Sequence, residues 1–243
     1  MCNNADAMYE IGENMELRIL HEDNSIIVVD KPQNVPTQED ESKDLDLLSM
    51  VKAHIKQKYN KPGEAFCGLV HRLDRPTGGI MVFARNSKSA ARLTDEIKNG
   101  DFDKTYFAVV VGVPREKKGS LVHYLKKDDT RNIVEIVPRL TEGAKRAELE
   151  YEVLETKEGY SLVKVHLLTG RSHQIRVQMA SLKTPIYADV KYGDKNTKGL
   201  MNLYCVELKL YHPISKQKMV FRCYPPEQEN MWKLFDLTKY LEI

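Results

Sequence analysis

The chain has 243 residues, 42% hydrophobic and 30% charged, which is an ordinary balance for a folded protein and enough length to bury a core. Its formal net charge of +2 excludes nucleic-acid binding through a strong overall field, so any such binding must come from a local basic surface. The N-terminus MCNNADAMYE lacks the basic start and apolar stretch of a secretory leader, and no run approaches the roughly 18 apolar residues of a membrane span. The four cysteines, Cys2, Cys67, Cys205 and Cys223, are scattered without a CxxC, which points away from zinc or a disulfide framework and toward reduced thiols in a cytoplasm.

In chain order, residues 1–15 are polar and read as a flexible N-terminus, and 16–243 as a single domain. Ile26 to Val29 is a β-branched run stopped by Asp30-Lys31-Pro32, a strand ending in a turn. Val35 to Glu41 reads as loop. Leu45, Leu48, Val51 and Ile55 recur with helical spacing. Gly68 to Asp74 reads as a short strand, continued after a turn by Ile80 to Ala84. A helix follows, capped by Asn86 or Ser87, with Ala90, Leu93 and Ile97 on its apolar face and Asn99-Gly100 at its end. Strands are predicted at Lys104 to Gly112, Ile133 to Val137, Ala147 to Leu154 and Ser161 to Leu168. Ser172 to Leu182 reads as a helix with Ile175, Met179 and Leu182 on one face. Leu203 to Tyr211 and Lys218 to Cys223 are further strands, and Glu227 to Leu237 a short helix anchored by Trp232. Strands outnumber helices and come in consecutive runs. That predicts an α+β fold with a mixed, largely antiparallel central sheet flanked by helices and loops.

Three stretches break the ordinary pattern. HRLDRPTGG, from His71 to Gly79, sets Asp74 between Arg72 and Arg75 at a strand end. Alternation puts Val70, Arg72 and Asp74 on one face. Pro76 biases Arg75 toward extended backbone, Thr77 can bond the turn, and Gly78 and Gly79 permit a close approach or a positive φ. The same residues would also serve a structural aspartate that caps a turn beside a routine ion pair. TGRSHQIRVQMA, from Thr169 to Ala180, crowds Arg171, His173 and Arg176 into the first turn of a helix if Ser172 is its N-cap. Cations there oppose the helix dipole, by roughly 0.3 to 1 kcal/mol each when exposed. The arrangement makes sense if an anion sits at that end, either a phosphate or the Asp74 carboxylate. In KTYFAVVVG, Tyr106 alternates away from Phe107, Val109 and Val111, so it can face a site while they face the core. Cys67, just ahead of the first motif, reads as a buried structural thiol.

Taken together and in this order, the three stretches closely resemble the sequence blocks of the RluA-type pseudouridine synthases. ILHEDNSIIVVDKP is similar to that family's first strand, and TPIYADVKYG to its later P-I-x-G-D-x-x-Y-G segment. The resemblance spans about Leu17 to Phe221. It implies a pseudouridine synthase fold and an isomerase that converts uridine in structured RNA, ribosomal or transfer, to pseudouridine. Asp74 matches the catalytic aspartate, Tyr106 the tyrosine that stacks on the target base, Arg176 the arginine that pairs with the aspartate, and Arg72 an RNA-facing arginine. His71, Arg75, Thr77, Lys104, Arg171 and His173 are the other candidate RNA contacts. Gly78 stands where the family often has Ser, Gln178 where it often has His, and Lys183 and Ala188 where Gly is common. Too few residues precede the resemblance to hold an S4 RNA-binding domain, which suggests a stand-alone catalytic domain.

The implied reaction breaks the N1–C1′ bond, turns the uracil, and joins C5 to C1′. It requires no redox change and no energy input, so no cofactor and no metal is expected, and the sequence has no phosphate loop, dinucleotide fingerprint or metal cluster. A carboxylate can attack C1′ or remove a sugar proton to give a glycal, and the residues leave both routes open. Burial under a flipped base works against the carboxylate's charge, and a guanidinium restores it. Extruding the base costs a few kcal/mol, against about 1 to 3 kcal/mol returned by stacking on Tyr106. The expected partner is RNA, with no membrane, no obligate protein partner and a monomeric state. The alternative is a catalytically silent RNA-binding or ribosome-assembly factor with the same fold. A glycoside hydrolase needs a second carboxylate that these blocks do not place.

Overall fold

The structure is a computed structural model that describes residues 7–10, 16–60, 62–226 and 230–243. Contacts divide the chain into two compact units: Met1–Phe102 with Glu207–Cys223, and Asp103–Val206 with Tyr224–Ile243. Strand pairing within each is antiparallel. Strands outnumber helices, and the class is α+β as the sequence predicts. No described helix is long and apolar enough to cross a membrane.

In the first unit, β1 (Ala7–Glu10), β2 (Glu16–Glu22), β3 (Ile26–Lys31) and β5 (Gly78–Ala84) pair in that order, and β4 (Gly68–Leu69) also pairs with β5. The expectation of a flexible residue 1–15 segment meets β1 at 7–10; the rest of it lies outside the described residues. Every residue of β3 and β5 is buried, which explains why both read as continuous apolar runs rather than alternating ones.

Helix α1 (Leu47–Lys58) is capped by Asp46, whose carboxylate accepts from the Ser49 N–H at 3.1 Å. Its buried face is Leu47, Met50, Val51, His54 and Ile55. The predicted stripe was therefore displaced: Leu45 precedes the helix and is 43% exposed. Helix α2 (Ser87–Asn99) is capped by Asn86 and ends at Gly100, in the left-handed region at φ 81°. It packs close to the sheet through a glycine, since a Cβ on Gly68 would lie 3.1 Å from the Ala90 Cβ. From Glu207 to Tyr211 the chain pairs with Lys218–Arg222 as a hairpin.

The second unit is a meander-derived sheet in the order β6 (Asp103–Val111), β10 (Tyr160–Leu167), β9 (Lys145–Lys157), β7 (Lys118–Asp128) and β8 (Ile133–Ile136). Strand β7 was not predicted. Its burial alternates between exposed and half-buried, and lysines occupy both ends, so it carries a solvated strand's weak signal. Helix α3 (Gln174–Ser181) is shorter than predicted, and Gln174 to Met179 are all buried, so it has no single apolar face. Its Val177 packs into a cluster with Leu125, Val134 and Ala147, joined by Tyr192. Strand β11 (Leu203–Tyr211) passes from this unit to the first, followed by β12 (Lys218–Arg222). The predicted C-terminal helix resolves into 3-10 turns at Asn230–Leu234 and Leu237–Lys239, with Trp232 buried; residues 227–229 lie outside the described residues.

Candidate active site

In the first unit, regular strand stops at Leu69, so Gly68 to Asp74 is not the strand that its sequence suggests. The alternation survives without it. His71 and Leu73 are buried, Arg72 is exposed and Asp74 is half-buried. The physical reason is that the backbone here is held by side chains instead of a neighbouring strand. The Leu73 carbonyl accepts from Thr37 Oγ1 at 2.8 Å, the Asp74 carbonyl from the Thr77 N–H at 2.9 Å, the Arg75 carbonyl from Lys31 Nζ at 3.1 Å, and the Pro76 carbonyl from Gln33 Nε2 at 3.0 Å. Four successive carbonyls around the aspartate are thereby satisfied, one by the last residue of β3 and two by the segment that follows it. The sequence reading passed over Lys31, Gln33 and Thr37, because nothing local marks a loop whose partners lie some forty residues on.

His71 turns inward: its Nε2 accepts from the Val82 N–H at 3.1 Å and its ring meets Phe102 edge-on at 5.1 Å. Thr77 is buried as well. Gly79 adopts φ 112°, the positive value that the double glycine anticipates. Arg75 is exposed but engaged. Its Nε donates to the Asn34 carbonyl at 3.1 Å, NH1 to Ser42 Oγ at 2.9 Å, and NH2 to the Asp44 carboxylate, with Asp40 at 3.7 Å. Hydrogen bonding to Arg75 and Ser42 holds the Asp44 carboxyl below its usual range. Cys67 is half-buried, and loss of solvent pushes its thiol up to about 12.

In the second unit, Tyr106 lies on β6 opposite Val165 of β10 and is 4% exposed. Lys104, two residues earlier on the same face, extends its Nζ beside Gly170; burial lowers its pKa, and Cys205 opposes that. The turn before α3 is tied by Gln174, whose Oε1 accepts from Thr169 Oγ1 at 2.7 Å and the Arg171 N–H at 3.1 Å, while its Nε2 donates to the Glu148 carbonyl at 2.9 Å. The N-cap is His173 rather than Ser172. It sits at φ 50° and makes no side-chain cap bond, because its ring is used elsewhere: Nδ1 lies 2.8 Å from the Tyr192 hydroxyl. Arg171 is exposed and donates from Nε to the Arg146 carbonyl at 2.9 Å.

Arg176 is buried at 3% exposure and forms a bidentate pair with Asp189, Nε to Oδ2 and NH2 to Oδ1, both at 2.7 Å. Asp189 Oδ1 also accepts from the Lys191 and Tyr192 N–H groups at 3.0 and 3.3 Å. The guanidinium lies 5.2 Å from the centre of the Tyr192 ring, and the Tyr192 hydroxyl accepts from the Val134 N–H at 2.7 Å. Asp189 and Tyr192 belong to TPIYADVKYG, a segment whose resemblance was visible although its role was not. Among the described residues, no cluster of His, Cys, Asp or Glu could hold a metal ion.

The RNA pseudouridylate synthase family profile matches residues 25–181, a span that contains the Asp74 loop, Tyr106 and Arg176. The chain belongs to that family, and to its RluA type. Its relatives include YhcT, an uncharacterized RNA pseudouridine synthase of Bacillus subtilis, 31% identical over 95% of this chain and 76% of its own length. An uncharacterized RNA pseudouridine synthase of Aquifex aeolicus is 32% identical over 88% of this chain and 71% of its own. Ribosomal large subunit pseudouridine synthase D of Haemophilus influenzae is 29% identical over 95% and 74%. Among solved structures, human RNA pseudouridylate synthase domain containing 4 superposes with a TM-score of 0.72 at 25% identity, covering 86% of this chain and 89% of that one. This pseudouridine synthase is thus an isomerase acting on uridine in RNA.

Two of the synthase's departures from the family pattern now have a backbone explanation. Lys183 and Ala188, where glycine is common, sit at φ 61° and 58°. A side chain in the left-handed region costs roughly 1–2 kcal/mol, part of which glycine gives back as unfolded-state entropy. Lys183→Gly is exposed and follows α3, so it is expected to raise stability by about 0.5–1 kcal/mol, read as a higher denaturant midpoint with an unchanged slope. Gln178, in place of the frequent His, is fully buried and donates from Nε2 to the Leu121 carbonyl at 3.1 Å, with His123 Nδ1 at 3.0 Å.

Proposed function

We propose that Asp74 performs the reaction at the ribose of a target uridine in structured ribosomal or transfer RNA. It does so either as a nucleophile at C1′ or as a base that opens the glycal route. In either case the N1–C1′ bond breaks and a C5–C1′ bond forms. The C5 proton is lost and N1 gains one, so the sum is an isomerisation. Tyr106 offers its ring to the extruded uracil, and Arg176 supplies positive charge to the anionic groups of the reaction. Arg72, Arg75, Lys104 and Arg171 are the proposed phosphate contacts, whereas His71, Thr77 and His173, being buried, shape the loops that carry them.

One observation carries the assignment of Asp74. Its backbone is clamped on both sides while its side chain stays partly accessible, which is what a group meeting a substrate needs. A ribosomal target is favoured by relatives named ribosomal large subunit pseudouridine synthases C and D. The test is pseudouridine mapping of total RNA from cells with and without the gene. One or a few uridines in ribosomal or transfer RNA are expected to lose their modification, and the purified protein to restore them on transcripts. An unchanged map in both RNA classes would refute the proposed target.

A further inference from the structure

We propose that the connection between β8 and β9 is a further RNA-binding element of this synthase: Leu140 enters an unstacked base step of the substrate as an apolar wedge, and Arg139, Lys145 and Arg146 hold the phosphates around it. Leu140 is 97% exposed, the most of any large apolar side chain among the described residues; the next, the terminal Ile243, reaches 70%. Partly exposed leucines are common on protein surfaces and carry no message. A leucine held almost wholly in water by a rigid turn is a different matter, and this connection is rigid. Ile136 of β8 and Lys145 of β9 flank Leu125 of β7 from opposite sides, so the chain between them crosses β7. It crosses in fixed steps. The Val137 N–H donates to the Tyr124 carbonyl at 2.9 Å, the Thr141 N–H to the Pro138 carbonyl at 3.0 Å, and the Ala144 N–H to the Thr141 carbonyl at 3.1 Å. Pro138 opens the first of the two turns, and Gly143 sits in the second at φ 76°. Leu140 stands at the apex of the first.

The surroundings indicate what covers it. The stretch PRLTEGAKR, residues 138–146, holds three cations and a single acid, Glu142. Arg139, Lys145 and Arg146 are all exposed. The Arg139 guanidinium lies 5.9 Å from the centre of the Tyr124 ring, and Tyr124 faces Arg146 across the β7–β9 ladder. Arg146 NH1 pairs with Glu148 at 2.6 Å, and the Arg146 carbonyl accepts from Arg171 Nε at 2.9 Å. Arg171, already a proposed phosphate contact, therefore continues the same basic surface. Cations on either side of a projecting apolar group match a nucleic-acid strand, which sets apolar base faces between phosphates at short regular intervals. A leucine reads no base edge by hydrogen bonding, so the wedge senses how easily a step opens rather than its sequence. The turn already holds the side chain outward, so little order is lost on binding. The element thus favours RNA with a loop, bulge or helix end beside the target uridine, where a step is partly open.

The proposal rests on RNA as the substrate and is decided separately from the role of Asp74. The probe is the unmodified transcript that carries the mapped uridine, with 2-aminopurine placed in turn at the positions around it. Affinity, its salt dependence, 2-aminopurine fluorescence and thermal midpoint are measured for the wild type, Leu140→Ala, Leu140→Met and the double variant Arg139→Gln/Lys145→Gln. In the wild type, one position is expected to brighten on binding as its stacking is lost. Leu140→Ala should weaken binding by roughly tenfold and abolish the brightening. Its thermal midpoint should not move, because the trimmed side chain meets only solvent in the free protein. Leu140→Met should keep the brightening and bind within about threefold of the wild type. The double variant should lower the slope of log affinity against log salt by about 1 to 2, as two phosphate contacts are lost. Wild-type affinity and fluorescence in Leu140→Ala would overturn the wedge, and an unchanged salt slope in the double variant would overturn the phosphate contacts. A wild-type dimer in sedimentation that Leu140→Ala makes monomeric would assign the leucine to a second copy of the chain and overturn the proposal. A fully active Asp74→Asn would remove Asp74 from the reaction and leave the wedge to be decided by its own variants, whereas a wild type that binds no transcript would sink both.

Discussion

Asp74→Asn is expected to yield a folded protein that forms no pseudouridine, with turnover lowered by at least about 10⁴-fold. The amide is close in size to the carboxylate but can neither attack C1′ nor accept a sugar proton at neutral pH. The four bonds that end on the main-chain carbonyls of Leu73, Asp74, Arg75 and Pro76 do not use the Asp74 carboxylate, so they survive the change. The thermal midpoint should stay within a few degrees of the wild type, and the RNA dissociation constant within a few fold, since no phosphate contact is removed. The measurement is a single-turnover assay on the unmodified transcript. Wild-type rates for the variant would overturn the role of Asp74.

The Arg176–Asp189 pair should divide into two phenotypes. Asp189→Asn leaves a buried guanidinium facing a neutral amide where it had a bidentate carboxylate. Breaking a buried pair from one side costs about 3–5 kcal/mol, so the denaturant midpoint should drop sharply and activity with it. Arg176→Lys keeps the charge but loses the fork that spans both Asp189 oxygens and the flat cation that lies over Tyr192. Turnover should fall by about 100-fold with little change in RNA affinity. Equal losses in turnover and affinity would make Arg176 a phosphate contact instead. The two variants together distinguish a scaffold from a reacting site, because only the first is expected to lose most of its stability.

Much of the fold was legible because its strands are strongly patterned. Ile26–Val29 and Ile80–Ala84 are buried on both faces, so an uninterrupted apolar run was a sufficient signal. Asn86 and Gly100 announced both ends of α2 through their own side-chain and backbone chemistry. Strand β7 was missed because it is half solvated and pairs with residues of β9 far along the chain. The capping rule failed at Ser172, where the Tyr192 hydroxyl captures His173 and fixes the helix start one residue later. For the site, the motifs identified the family and located Asp74, Tyr106 and Arg176 on the chain. They did not reveal that Arg176 grips Asp189, or that Lys31, Gln33 and Thr37 hold the aspartate's loop. Those links are tertiary: each donor looks ordinary in its own neighbourhood and acquires meaning only from the carbonyl or carboxylate it meets.

The half-buried Cys67 has a practical consequence. With its thiol pushed up to about 12, only about one molecule in 10⁵ carries a thiolate there at neutral pH. Peroxide and alkylating reagents attack the thiolate, so this sulfur, although it lies just upstream of HRLD, is chemically quiet. Peroxide and alkylating reagents are therefore expected to modify Cys67 slowly at neutral pH, which mass spectrometry of the treated protein would read as an unmodified Cys67 peptide.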